Sequence, residues 1–532
     1  VPAVSYRSVI APYVSLRPAK PGDWQQQNQR AAPEGEAPAH QHWGRVMKPL
    51  LSIPAGYAFT SALRCGVLIG CVALLAGCRT FSPDGGMGPV AGFIGGSLNK
   101  EVVAVQTPED DIRARGIVEG LLKRPLTADA AVQVALLNNR GLQANYNELG
   151  MAEAVMIANS RPPVPTFSIS NVSTPLELDI ERQIVVAILG LVTQPARSRI
   201  AADRFAQAQL RAASATLRVA AETRRAYYRA VAAAEVAVAL ASFNSAAENS
   251  AELAKQLGKT GALNQLDQAR QQVFYADLTA QLATARQQTM VEREQLVRLM
   301  GLWGRDLDFR LPNALPRLPP KPQTLPTIEQ DAMDHRADLQ IARIEVETLA
   351  KSYGLTRKTH FINVLDASGI AKTQKDKGSG PAVDGGGIAI EFQVPIFDFG
   401  RPRVREAEQR YMQAVNLLAE QAVNARSEAR EAYRSYRATY DIASHYRREV
   451  LPLRQIIFDQ SKLQANAMLI DVFSLLTEAR ERIAANINGI EARRNFWLAS
   501  ADLNAVILGG GHAGTQSEGS VMAAASGVMA GQ

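Results

Sequence analysis

Few residues in this chain are placed to do chemistry. The six histidines, His40, His42, His335, His360, His445 and His512, are scattered. None stands at the helical spacing that would present imidazoles together to an ion, so no metal site and no cofactor is expected. Gly258-Lys259-Thr260 has the ending of a phosphate-binding loop, but Leu253 stands where that motif needs its first glycine and no strand precedes it. Neither a nucleophile elbow nor a zinc-protease signature occurs, and an enzyme is not expected. The charge of +7 comes from 58 basic and 51 acidic residues, interspersed as on solvated helix faces. A clustered basic face with interleaved aromatics is missing, which argues against nucleic acid.

Two features remain that could act on a membrane. The first is the cysteine set, Cys65, Cys71 and Cys78, all within one apolar segment. That placement leaves no partners elsewhere for a disulfide framework or a zinc site. The segment Cys65 to Gly77 has the length of a signal-peptide core and is too short to span a bilayer as a helix. Leu75-Ala76-Gly77-Cys78 resembles a bacterial lipobox, in which cleavage precedes a cysteine that is then acylated, as with palmitate. Met47-Lys48 reads as the start of a lipoprotein signal peptide over 47–77, which makes 1–46 a mis-called N-terminal extension. The second feature is Glu177, Asp179 and Glu181, alternating with Leu176, Leu178 and Ile180. Such a strand can line water on its acidic face and meet lipid on the other.

The elements around these residues form a tandem repeat. Gly387 to Gln393 alternates as a strand, Pro395 and Gly400 break it, and no Pro or Gly interrupts 403–448, which predicts a very long helix. Shifted back by about 206 positions, Arg410, Gln413, Glu428, Arg430 and Tyr433 fall on Arg204, Gln207, Glu222, Arg224 and Tyr227. In the first repeat a helix is expected to open at Thr127, its N-cap, and to run to about Ser160. A strand pair follows, turning near Ser173-Thr174-Pro175. Next comes a helix from about Ala196 to Leu257, which the turn Gly258, Lys259, Thr260, Gly261 folds back as Leu263 to Leu299. In the second repeat, 371–387 reads as an exposed Lys/Gly/Ser loop between strands. The helical turn lies at Gln464, Ala465, Asn466, Ala467 and Met468, and the return runs from about Asp471 to Leu508. Long antiparallel hairpins rich in alanine predict coiled-coil packing. Four short strands cannot close a barrel with a lumen, and open edges are not tolerated in hydrocarbon, so several chains must contribute.

The boundaries are therefore a lipid-anchored, Gly-rich and polar leader over 78–125, a first repeat over 126–311, and a Pro-rich linker over 312–325. A second repeat over 326–508 and a disordered tail over 509–532 complete the chain. Through this duplication, the junction Val394-Pro-Ile-Phe-Asp-Phe-Gly-Arg401, the run Arg336 to Leu339 and the two hairpins, the chain resembles the TolC/OprM family of outer-membrane efflux channels. The lipidated Cys78 is similar to the OprM-like branch. The resemblance implies a fold that is mostly α with a small membrane β-barrel contribution, assembled as a homotrimer. Each protomer would donate four strands to one barrel of about twelve, and its helices to a periplasmic tunnel. It implies an outer-membrane location in a Gram-negative bacterium, contact with outer-membrane lipid, and as partners a periplasmic adaptor (membrane fusion) protein and an inner-membrane transporter of RND type. The hairpin turns would contact the adaptor. Asp471 matches the family's constriction aspartate, with Ser474 where a second acid is common and Asn264 in the comparable place of the first repeat; the alternative reading of Asp471 is a helix N-cap.

A rival reading is a periplasmic coiled-coil adaptor or scaffolding lipoprotein, which accounts for the hairpins and Cys78 but not for amphipathic strands at the same place in both halves. The substitution Cys78→Ser separates the two: palmitate labelling is lost, and a barrel protein still requires detergent for extraction, whereas a scaffold becomes soluble. Amino-terminal mapping of translation products should find none that begins before Met47.

Overall fold

The structure is a computed structural model that describes residues 80–378, 381–467 and 469–509. All of these fall in one unit, Cys78–Gln532. The expected signal peptide and the extension before it, Cys78 itself, Met468 and the tail beyond Gly509 lie outside the described residues.

The leader is more ordered than its glycines suggest. Helix α1 (Met87–Leu98) buries Met87, Val90 and Ile94 on one face, in a cluster with Ala213 and Leu217. Helix α2 (Pro108–Leu122) opens on a capping box in which Thr107 and Asp110 exchange hydrogen bonds. Helical spacing of three apolar residues outweighed the local glycine content once a packing surface was present.

The predicted first helix is two helices, α3 (Ala128–Asn138) and α4 (Arg140–Ser160), with Thr127 capping α3 as expected. The break falls at Asn139. Its side chain accepts from the Leu142 N–H at 2.9 Å and donates to the Leu299 carbonyl at 2.8 Å. Asn138 donates to the carbonyl of Gly301 at 2.8 Å. The second repeat breaks at the matching place, between α7 (Ile328–His335) and α8 (Ala337–Thr359). There the buried Arg336 guanidinium bridges Asp338 at 2.7 Å and Glu428 at 2.6 Å. Both breaks sit against a left-handed glycine that ends the last helix of the same repeat. A Cβ on Gly301 (φ 66°) would lie 2.7 Å from the Asn138 carbonyl oxygen, and one on Gly509 (φ 83°) 2.9 Å from the Ala337 nitrogen. Only glycine combines that backbone with that approach.

Strands β1 (Thr166–Ser173), β2 (Glu177–Ala187), β3 (Val364–Asp376) and β4 (Val383–Gln393) form one antiparallel sheet in chain order. The expected loop over 371–387 is corrected: most of it is strand, paired from Ala371 opposite Gly386 to Gln374 opposite Val383. Backbone pairing with β2 and β4 supplied what the lysines and glycines do not specify locally. The repeat shift carries β2 onto β4 residue for residue, Glu177 onto Val383 and Ala187 onto Gln393.

Helix α5 (Ile188–Lys259) has 72 residues, which at 1.5 Å per residue is about 110 Å. It begins directly after β2, so Pro195 lies inside it and does not start it. The carbonyl that Pro195 cannot serve belongs to Leu191, which is exposed to solvent. Helix α6 (Gln265–Met300) returns along it. In the second repeat α9 (Arg401–His445) passes through a π-helical turn, Tyr446–Val450, into α10 (Leu451–Asn466), and α11 (Val472–Leu508) returns. The wider turn precedes Pro452 and accommodates its missing N–H.

The repeats are joined by aromatic packing and by the Pro-rich linker. Phe496 is 1 % exposed and lies 5.1 to 5.7 Å, ring to ring, from Tyr436, Tyr440 and Trp497. The linker crosses these side chains. Tyr440 donates to the carbonyl of Pro320 at 2.9 Å and Trp497 to that of Pro316 at 3.1 Å, while Leu315 and Leu318 are buried. Phe496→Ala is expected to cost about 3–5 kcal/mol through lost burial and an unfilled cavity, seen as a lower thermal unfolding midpoint of the purified protein.

Candidate functional site

The residues singled out by sequence fall into three stations: the sheet, the junction where it becomes helix, and the helical tips. Register places Glu177, Asp179 and Glu181 on one face of β2, opposite Asp376, Gln374 and Lys372 of β3. Asp179 pairs with Lys372 at 3.1 Å, and Gln374 donates to Glu177 at 3.3 Å. Ser168 and Ser170 of β1 complete this polar face. The other face carries Phe167 and Ile169 of β1, Leu178, Ile180 and Ile184 of β2, and Ile388, Ile390 and Phe392 of β4. Phe167, Ile169, Ile388, Ile390 and Phe392 are all more than 60 % exposed, an apolar area that water does not favour.

At the second junction Gly400 has φ 68°, and a Cβ there would collide with the His360 carbonyl. Asp398 accepts from the Gly400 N–H at 2.8 Å, and Phe399 donates its N–H to the Pro395 carbonyl at 2.7 Å. The knot turns Ile396, Phe397 and Phe399 outward, with Phe397 at 96 % exposure. Aromatic and apolar residues at the end of a strand with one apolar face suit a membrane–water boundary. The first junction has no such knot, because β2 runs straight into α5.

At the tips, Gly258 and Lys259 are the last residues of α5, and Gly261 (φ 73°) makes the turn. Thr260 donates to the Leu257 carbonyl at 2.9 Å. In the second repeat Gln464, Ala465 and Asn466 are still helical and Ala467 is the C-cap, so the turn begins later than the sequence indicates. Of the three residues marked as gate positions, Asn264 and Asp471 are N-caps and Ser474 is a partner of the second. Asn264 accepts from the Asp267 N–H at 2.8 Å, and Asp471 accepts from the Ser474 N–H at 3.0 Å and from its hydroxyl at 2.5 Å. Sequence reasoning missed what joins them. Arg270, held at 3.0 Å by Asp267, lies over the Phe473 ring at 5.0 Å and contributes positive potential at Asp471. The available signal was Arg270 at i+3 from Asp267 and Phe473 beside the Asp471 cap. Farther along α6 and α11, Arg480 reaches Asp277 at 3.4 Å, above the buried side chains of Phe274, Leu278, Leu476 and Ile483.

A sheet with one wet and one apolar face, continued by helical hairpins about 100 Å long, is an arrangement found in solved outer-membrane channels. The chain has the fold of TolC/OprM-type outer-membrane efflux channels. It is similar to CusC, a protein that forms a transmembrane channel, with TM-score 0.62 and 16 % identity over 72 % of this chain and 92 % of that one. It is similar to the outer membrane channel CmeC of Campylobacter jejuni, with TM-score 0.62 and 17 % identity over 72 % and 86 %. The open state of the outer membrane channel MtrE of Neisseria gonorrhoeae gives TM-score 0.59 and 15 % identity over 71 % and 88 %. No protein-family model and no curated protein matches the sequence.

The Ser474 hydroxyl and N–H hold the Asp471 carboxyl below its ordinary value of 3.8. A depressed folded value makes the cap's contribution present above the unfolded value and lost as pH falls through the folded one. Amide exchange at Ser474 should therefore be protected at neutral pH and down to about 3.8, and lose protection only below that. In Asp471→Ala protection should be absent at every pH.

Proposed function

We propose that this chain is the outer-membrane channel of a tripartite efflux system, conducting solutes passively from a periplasmic adaptor and an inner-membrane pump of RND type to the exterior. The observation that carries the reading is the open four-stranded sheet, whose apolar face is exposed and whose polar face bears Glu177, Asp179 and Glu181. Lipid is the solvent that suits the first face, and a water-filled lumen suits the second. Among the described residues, outer strands β1 and β4 have no partner beyond them, and a bilayer requires one, so copies must pair edge to edge. Three copies make a closed barrel, and the fold shared with solved outer-membrane channels supports that arrangement. The lipobox supports acylation at Cys78, which would hold the leader at the membrane surface.

Gating, not covalent chemistry, is the mechanism. The tips carry Asp471, Ser474, Asn264 and Arg270 on two return helices linked by the contact of Arg270 with Phe473. Polar contacts of this kind close a constriction at modest cost, and an adaptor that binds the open arrangement more tightly shifts the population toward it. The turns at Gly258 to Gly261 and Gln464 to Met468 are the surfaces offered to that adaptor. Asp471→Ala should raise conductance in planar bilayers or increase leak of large antibiotics into cells. Unchanged conductance in a correctly assembled multimer would remove Asp471 from the gate.

A further inference from the structure

We propose that the level where the sheet becomes helix is a belt that binds the anionic headgroups of phospholipids in the leaflet on the helical side. The inference rests on the channel reading, which sets the sheet in a bilayer, and adds the class of lipid that its rim selects.

Register brings four chain crossings to this level. Thr166 of β1 pairs with Val185 of β2, Ala187 with Asp366 of β3, and Val364 with Gln393 of β4, so 159–165, 188–202, 354–363 and 394–405 all leave the same end of the sheet. Side chains fasten them in pairs. Gln194 donates to the Ser160 carbonyl at 2.6 Å, and Arg403 to the His360 carbonyl at 2.8 Å. The first two segments carry Arg161, Arg197 and Arg199, and the last two carry Arg357, Lys358, Arg401, Arg403 and Arg405. All eight are exposed. The one acid in these segments, Asp398, accepts from the Gly400 N–H at 2.8 Å. The nearest acids beyond them along the helices, Asp203 and Glu406, are paired with Lys351 and Arg410, and Asp366 and Glu391 face each other on the polar face of the sheet. The belt's excess of seven positive charges equals the formal charge of the entire chain, so elsewhere acids and bases cancel. The sequence shows interspersed charge, and the fold corrects that expectation by gathering a basic face from four separate segments.

Among the described residues only Arg405 of the eight forms an ion pair, with Glu408 at 3.0 Å. Arginines in the middle of the molecule do find acids, Arg224 with Asp129 at 2.6 Å and Arg225 with Asp502 at 2.5 Å. Cations gathered and left bare repel one another, and an anionic surface relieves that repulsion. Apolar residues decide which surface. Val164, Val192, Phe361 and Phe397 interleave with the cations and are 49 to 96 % exposed. Phe397, Phe399, Arg401 and Arg405 line one shallow cleft of about 480 Å³, with Asp398 and Pro402, and the two arginines stand one helical turn apart on the same side of α9. Nucleic acid, an acidic protein or free phosphate would leave these rings in water. A phospholipid brings phosphate oxygens to the guanidinium groups and acyl carbon to the rings, and the belt runs directly into the apolar face of the sheet.

The test uses the full-length protein in a mild non-ionic detergent, titrated with short-chain phosphatidylglycerol or with phosphatidylcholine of the same chains. Phosphatidylglycerol should raise the thermal unfolding midpoint with a half-effect at about tenfold lower concentration. The difference should vanish in 1 M salt, where the screening length is about 3 Å. Arg357→Gln, Lys358→Gln, Arg401→Gln and Arg405→Gln together should abolish the preference, whereas lysine at the three arginine positions should keep it. Arg426→Gln with Arg434→Gln, exposed farther along α9, should leave it unchanged. An equal response to the two lipids overturns the belt, as does a preference that survives the fourfold glutamine variant or is lost with lysine. Heparin or water-soluble glycerophosphoglycerol acting as strongly as the lipid would assign the face to a soluble anion and overturn it too. A protein that conducts in planar bilayers without any lipid preference leaves the channel reading standing. One that neither inserts nor conducts overturns the channel reading, and the belt with it.

Discussion

The structure depends on an open sheet that cannot stand alone. Among the described residues, the four strands bury no apolar face against the rest of the chain, and their two outer edges have no partner. In water, an exposed apolar face with free edges invites aggregation. In a bilayer the same face is an asset, and the edges are satisfied only by closing the sheet on other copies. The rest of the molecule is arranged around that constraint. Each strand pair opens directly, or through one aromatic knot, into helices that carry the chain far from the sheet.

Helices this long need fastening points, and the fastening differs along their length. Near the sheet, α5 and α8 exchange polar contacts, Gln207 with Glu345 and Asp203 with Lys351. In the middle, the Pro-rich linker is pinned by Tyr440 and Trp497 around Phe496, and Arg225 meets Asp502 at 2.5 Å in a nearly buried ion pair between the repeats. A buried pair of this kind adds little net stability but penalises any arrangement that separates its members. Toward the tips the core narrows to small clusters and exposed capping bonds. The fastening thus thins from the middle of the molecule to the tips, which is the end proposed to open.

Much of this was legible because it rests on local rules. The duplication shows in the spacing of Arg, Gln, Glu and Tyr, the hairpin at Thr174 in the alternation of Leu and Glu, and the caps at Thr127 and Asp471 in residue type. Less legible were features whose cause lies far away in sequence. The break at Asn139 has a residue suited to capping, but what selects it is the end of α6, more than a hundred and fifty positions later. The strands through Ala371 to Gln374 and Val383 to Gly387 have a loop's composition and are held by neighbours on each side. Helix α1 looked like a glycine-rich tether until the surface of α5 gave Val90 and Ile94 somewhere to pack.

By itself, then, the sequence determined periodicity, repeat length, the sites of turns and the pairing of a wet with an apolar strand face, since each follows from the spacing of residue types along a helix or a strand. Tertiary structure decided where long elements break, how far the strands extend, and which polar residues from the two repeats meet. Those outcomes depend on backbone partners and on contacts between residues hundreds of positions apart. Arg270 over Phe473 is the clearest case: neither residue is distinctive in its own segment, and only the packing of α6 against α11 brings them together at the tips.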